Sequence, residues 1–232
     1  MALQRIASGV QGLDKIINGG FPKDSFILLT GACGTGKFTF SMNFLTQGAK
    51  NKEPGIYLSL EETPEEAMLE ANKFGFEIDS LIKNNALLFL KPELYDFDRL
   101  LQVIEDRVNS INAKRLVINS LSHIGTYFKD PYKLREAMLE LMKLFKRLHV
   151  TAVAISERPE HSDRLSAFGV EEFIADGVIV LHYTRKENVF VRGLSIRKMR
   201  GTAHSSEVHS LLIKAPDGII VYPSEEVFTE FR

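Results

Sequence analysis

An α/β fold, with a mostly parallel central sheet flanked by helices and C-terminal antiparallel hairpins, is predicted by three features of the sequence. As far as Ala175, short β-branched or aromatic apolar runs alternate with helical patterns, the signature of strands joined by crossover helices. One of these runs leads straight into a glycine-rich loop that opens a helix. Beyond Ala175 the runs are separated by short polar turns that leave no room for a helix.

The elements follow in order. FILLT at 26–30 reads as a buried strand, and a helix begins near Lys37 and runs towards Ala49. GIYLSL at 55–60 is the next strand, and Thr63 then caps a helix with Pro64 at its first position. Glu65 and Glu66 stand in that helix's first turn, where carboxylates favour the positive helix end, and the helix runs out near Phe74 and Gly75. ALLFL (86–90), RLVINS (115–120) and VTAVAIS (150–156) are three further strands, separated by amphipathic stretches at 97–111 and 132–148. In the second stretch Leu134, Met138, Leu141, Leu144, Phe145 and Leu148 recur at helical spacing and form a core-facing stripe. After Ala175, GVIVLHY, VFVRGLSIRKM, EVHSLLIK and GIIVYP are strands that extend one edge of the sheet as hairpins.

Composition bounds what this scaffold serves. With 232 residues, 44% hydrophobic and 25% charged, the chain buries one sizeable core, and no linker, repeat or low-complexity tract divides it, so 1–232 is expected to be a single domain. A net charge of −1 gives no global field to draw nucleic acid or an acidic membrane surface. There is one cysteine, Cys33, so no intrachain disulfide forms. The start MALQRIASGVQG lacks the apolar run of a secretory signal, and no stretch approaches the length of a bilayer span. A cytoplasmic setting without membrane association is the expectation.

The loop at 31–39, GACGTGKFT, carries the chemistry. A loop that holds a nucleotide's phosphates reads G-x-x-x-x-G-K followed by Ser or Thr, whose hydroxyl holds magnesium. Gly31, Gly36 and Lys37 fall correctly, but Phe38 takes the hydroxyl position. Gly34 and Gly36 let the main chain curl around phosphates, Lys37 reaches the β and γ oxygens, and Cys33 reads as a small spacer. Thr39 cannot simply replace the missing hydroxyl, because one helical residue rotates the side chain by about 100°.

SGVQGLDKIINGGFPKDSFILLTGACGTGKF, YLSLEETPEEA, RLVINSLSHI, SERPE, FGVEEFIADGVIVL and IRKMRGTAH, in that order, resemble the KaiC family, a branch of the RecA-like ATPases. The resemblance covers nearly the whole chain in one copy of the ATPase module. It implies a RecA-like sheet, with ATP or ADP held between neighbouring subunits of a homo-oligomeric ring, usually a hexamer. Gly34, Thr35, Gly36, Lys37, Phe38 and Thr39 correspond to the loop that wraps the triphosphate. Glu61 and Glu62 match the paired acidic residues that position or activate the attacking water; a carboxylate at the end of a strand beside the loop is also where a general base would stand. Lys198, Met199, Arg200, Thr202 and His204 match the segment inserted towards the neighbour's nucleotide, with Arg200 supplied in trans.

Two departures weigh against full activity. Phe38 offers no oxygen to a metal, and in RLVINS the family's aspartate is replaced by Asn119, which can hold a metal-bound water but lacks the charge a hard cation needs. Metal from Phe38 is therefore none and from Asn119 weak, so magnesium is in doubt and hydrolysis suffers more than binding. Three functions fit: a regulatory or scaffolding ring protein with little turnover and an unidentified protein partner, a slow ATPase using Glu61, Glu62 and a trans Arg200, and a RecA-type DNA-binding motor. The third is disfavoured by the neutral charge and the lack of a basic, aromatic strand-binding segment. His204 and His209 have no partners at zinc-ligand spacing, and Ser122–His123 point to opposite faces of a strand or turn rather than forming a nucleophile and base.

Overall fold

The computed structural model describes residues 3–93, 96–128, 130–159, 162 and 164–226. In chain order the elements are β1 (Arg5–Ile6), α1 (Leu13–Ile16), β2 (Phe21–Pro22), β3 (Phe26–Gly31), α2 (Lys37–Lys50), β4 (Gly55–Ser59), α3 (Pro64–Phe74), α4 (Ile78–Lys83) and β5 (Leu87–Leu90). There follow α5 (Phe97–Ile111), β6 (Arg115–Asn119), α6 (Leu121–Tyr127), α7 (Pro131–Arg147), β7 (Thr151–Glu157), α8 (Glu171–Ile174), β8 (Gly177–Lys186), β9 (Val189–Met199), β10 (Val208–Lys214) and β11 (Gly218–Glu226).

Among the described residues nine strands form one sheet in the order β11-β10-β9-β8-β3-β7-β6-β4-β5. From β8 to β5 every pairing is parallel, and β8 to β11 continue as antiparallel hairpins at one edge, as the short polar turns predict. β3 lies between two parallel neighbours and is buried at all its positions, which is why its sequence is a continuous apolar run rather than an alternating one. One face packs on α2 and α4 through Phe40, Phe44 and Ile78; the other packs on α5 and α7 through Leu100, Ile104, Leu134, Met138 and Leu141. No described helix is long and apolar enough to cross a membrane.

Local chemistry explains the ends. Thr63 and Glu66 form a reciprocal capping box at the start of α3, and Gly75 closes the helix at φ 98°, a left-handed conformation that favours glycine. Asp130 caps α7 by accepting from the Tyr132 amide at 2.9 Å. The short elements β1, β2, α1, α4, α6 and α8 go beyond the sequence reading, because runs of two to seven residues show no usable period. RLVINS is a strand only to Asn119, and Ser122 and His123 lie on α6, not on a strand or turn. Adjacent helical side chains still diverge by about 100°, so the pair is no catalytic dyad.

The register brings four strand ends together. Gly31 of β3 sits opposite Glu157 of β7, and Ser59 of β4 opposite Asn119 of β6. This carboxyl edge is where α/β sheets hold their ligands.

The hairpin carries a pH-dependent contact. His182 on β8 faces Ser195 on β9, Nε2 to Oγ 2.8 Å, and burial, with help from Arg158 and Arg197, pushes the imidazole down to about 4. The unfolded chain takes up a proton near pH 6.5, where the folded state still refuses it. Stability from this residue is thus complete above about pH 6.5 and is lost as pH falls towards 4, by roughly 3 kcal/mol in all. His182→Gln keeps a hydrogen-bonding group without the titration. It should flatten the fall in denaturation midpoint between pH 7.5 and 4.5, and an unchanged slope would show that His182 does not set this pH dependence.

Candidate functional site

The glycine loop is shaped by contacts that exclude side chains. A Cβ at Gly31 would lie 2.8 Å from the Leu181 carbonyl oxygen, and one at Gly36 2.5 Å from the Ile213 Cδ1. Gly36 also has φ 98° and is the residue from which α2 starts. The Thr35 hydroxyl ties the loop by donating to the Ala32 carbonyl at 2.9 Å. α2 begins without a side-chain cap and with no acidic residue in its first turn, so its leading amides are left for an anion.

Lys37 bends back over this loop, and its Nζ donates to the carbonyls of Gly31 and Ala32, both at 2.9 Å. Burial lowers its pKa, opposed by the nearby Glu157, Cys33 and Glu61. A cavity of about 790 Å³ opens in front, lined by Gly34 to Thr39, Glu61, Glu70, Asn119 and Arg158 among others. Residues 33–39 of the loop are thus assembled around one cavity, together with Glu61 and Asn119.

The two glutamates part company. The Glu61 carboxylate lines the cavity, where its Oε1 accepts from the Ser120 hydroxyl at 3.0 Å, and its carbonyl accepts from Lys91 Nζ at 2.7 Å. The Glu62 carboxylate instead accepts from the Tyr57 hydroxyl at 2.7 Å and from Asn119 Nδ2 at 2.9 Å. Asn119 Nδ2 also donates to the Tyr57 oxygen at 2.9 Å, closing a three-membered network. Tyr57 is buried, and its phenol is pushed far up, by burial first and the Glu62 carboxylate second. Burial likewise raises Glu70, with Glu62 adding to it.

Phe38 completes this corner. Its half-buried ring stands edge-on to Tyr57, centroids 5.7 Å apart and planes at 84°. Thr39 is buried beside it on the cavity wall. A hard cation asks for several oxygen donors, often charged. This corner supplies a phenyl ring, an amide nitrogen aimed at Glu62 and a phenol already bonded. The residues fit a nucleotide's phosphates, and the position after Lys37 offers a ring where a hydroxyl would hold a metal.

The segment 198–204 lies elsewhere. Met199 pairs with Gly177, which pairs with Ile27 near the start of β3, whereas the glycine loop follows its end. That separation is roughly 15 Å along the strand. None of Lys198, Met199, Arg200, Thr202 and His204 lines the cavity. Lys198 Nζ donates to the carbonyls of Glu172 and Phe173 at 3.1 and 3.2 Å. Arg200 pairs with Asp176 at 3.2 Å while remaining 55% exposed, which leaves it free to turn outward. Thr202 accepts from Arg5 at 2.9 Å, and the His204 Nδ1 donates to the Ser205 carbonyl at 2.8 Å. Met199 has its side chain in the core against Gly177, so only its backbone can face outward.

Sequence reasoning passed over Tyr57, Ser120, Lys91 and Arg158. For Tyr57 a signal existed: a tyrosine in the middle of a buried strand requires a partner for its hydroxyl, and the polar residues nearest in sequence are in the SLEE stretch.

Comparison with known proteins agrees with this geometry. The family model described as "ATPase: KaiC" matches residues 6–226. A circadian clock oscillator protein KaiC of Prochlorococcus marinus is 31% identical over 96% of this chain, which spans only 46% of that protein's length. A UPF0273 protein of Methanopyrus kandleri is 32% identical, covering 100% of this chain and 97% of its own. The solved structure of a KaiC-like protein from Pyrococcus horikoshii has a TM-score of 0.87 at 38% identity, covering 96% of this chain and 100% of its own.

Proposed function

The chain belongs to the family of KaiC-like ATPases, and from that premise we propose that it is a nucleotide-holding member without a protein-held magnesium, a regulatory or scaffolding ring protein with slow or no hydrolysis. One observation carries the reading. Phe38 brings no hydroxyl and packs on Tyr57, and Asn119 Nδ2 is tied to Glu62 and Tyr57, while the glycine cradle and Lys37 beside them are intact. The cradle and lysine act on phosphates directly, so binding survives changes that cripple turnover.

Charge ties binding to assembly in this proposal. Lys37 and Arg158 face Glu61, Glu70 and Glu157 across the cavity, and a polyphosphate adds further negative charge. Cations from outside the chain are needed, and Lys198 and Arg200, too far to reach their own cavity, supply them to a neighbouring copy. The ring is then stable when loaded with ATP or ADP, and a protein partner reads the loaded state. A slow ATPase is the second reading, favoured by Glu61, whose carboxylate alone of the pair faces the cavity.

Nucleotide content, phosphate release and sedimentation of the purified protein test the proposal together. We expect nucleotide to be retained in EDTA, phosphate release to change little on adding magnesium, and assembly to follow ATP and weaken in Arg200→Ala while the monomer stays folded. A monomer at every concentration with and without ATP would overturn the ring, and rapid magnesium-dependent release would overturn the regulatory reading.

A further inference from the structure

Two cations line the nucleotide cavity, and they are in different states. Lys37 spends its ammonium on two loop carbonyls. Arg158 immediately follows β7, its amide 3.4 Å from the Gly31 carbonyl, and its side chain is half-buried in the cavity wall. Among the described residues that guanidinium makes no hydrogen bond and no ion pair. Its donors remain open to the cavity, so an arriving anion meets a guanidinium with no protein acceptor to displace. A guanidinium in that state is poised for an anion that fits its fork.

The place is specific. β7 runs between β3, which carries the glycine loop, and β6, which carries Asn119. Arg158 therefore follows the strand that lies between the phosphate cradle and Asn119, on the wall of the same cavity. We propose that Arg158 is the same-chain contact for the phosphate chain of a metal-free nucleoside di- or triphosphate, supplying positive charge that this chain cannot take from magnesium. The inference rests on the nucleotide-binding reading and names the same-chain cation that acts beside those a neighbouring copy supplies. Glu157, on the same cavity wall, sets the limit: its carboxylate repels a phosphate that approaches without Arg158.

Calorimetric titration of ATP and ADP in EDTA tests this on the parent, Arg158→Ala and Arg158→Lys, with thermal melting as a check on folding. Losing a charged hydrogen bond to phosphate is worth about tenfold or more in affinity. Arg158→Ala should show that loss, and Arg158→Lys should recover part of it. Parent-like ATP affinity in a folded Arg158→Ala would overturn the inference and leave the nucleotide reading standing. A parent that binds neither nucleotide would overturn both. His182 offers an independent readout, because the Arg158 charge helps hold its imidazole low. Saturating ATP should offset that charge and move the His182 NMR titration upward in the parent; an ATP-loaded parent whose His182 titration stays put counts against the contact.

Discussion

Replacing Lys37 with alanine is expected to lower ATP and ADP affinity by a factor on the order of 100. The ammonium is already positioned, held by the Gly31 and Ala32 carbonyls at 2.9 Å at the mouth of the loop. Its partial burial strengthens any charge-assisted bond it makes to phosphate, since fewer waters compete. Burial also lowers its pKa, so an arriving phosphate both gains a contact and favours the charged form of the lysine. The folded state loses little in the variant, because loop shape is set by Gly31, Gly36 and the Thr35 hydroxyl. Lys37→Arg keeps the charge with a larger, planar head and should recover only part of the affinity. Calorimetric titration decides the matter: parent-like affinity in a folded Lys37→Ala protein would remove the glycine loop as the nucleotide site.

The strand-loop-helix order around Lys37 was legible in the sequence because its signals are local: a continuous apolar run, glycines at fixed offsets and a helical period. The hairpin edge was legible for the same reason, since short polar turns leave no other connection. The division of labour between Glu61 and Glu62 was not. Adjacent in sequence, they part because Tyr57 and Asn119, brought from two different strands, draw one carboxylate inward. Arg158 was hidden likewise, as its meaning depends on which strand lies between β3 and β6. Pairing order is a long-range property that no local period carries. Phe38 showed the opposite pattern: its departure from the motif was plain in one dimension, but the Tyr57 ring that receives it appears only once β4 lies beside α2.

Restoring oxygen donors at both Phe38 and Asn119 should produce the largest gain of activity this fold offers. Neither change is expected to succeed alone. Phe38→Thr removes a ring packed edge-on to Tyr57, and the space left behind costs on the order of 1 kcal/mol or more. Asn119→Asp places a carboxylate where an amide now donates to Glu62 at 2.9 Å, so two like charges meet and one carboxyl must hold a proton or move away. Each single variant should therefore melt below the parent and turn over no faster. In the double variant the threonine hydroxyl and the aspartate together suit a hard cation, whose charge relieves the repulsion that the aspartate alone creates. The two substitutions share one ion, so the free energies should not add: magnesium should raise the melting temperature of the double variant but not of the parent, and phosphate release should rise by about tenfold or more beyond the sum of the single changes. A parent that already releases phosphate as fast as the folded double variant would show that Phe38 and Asn119 do not limit the chemistry, and the Tyr57–Glu62–Asn119 network would then be a packing arrangement with no bearing on turnover.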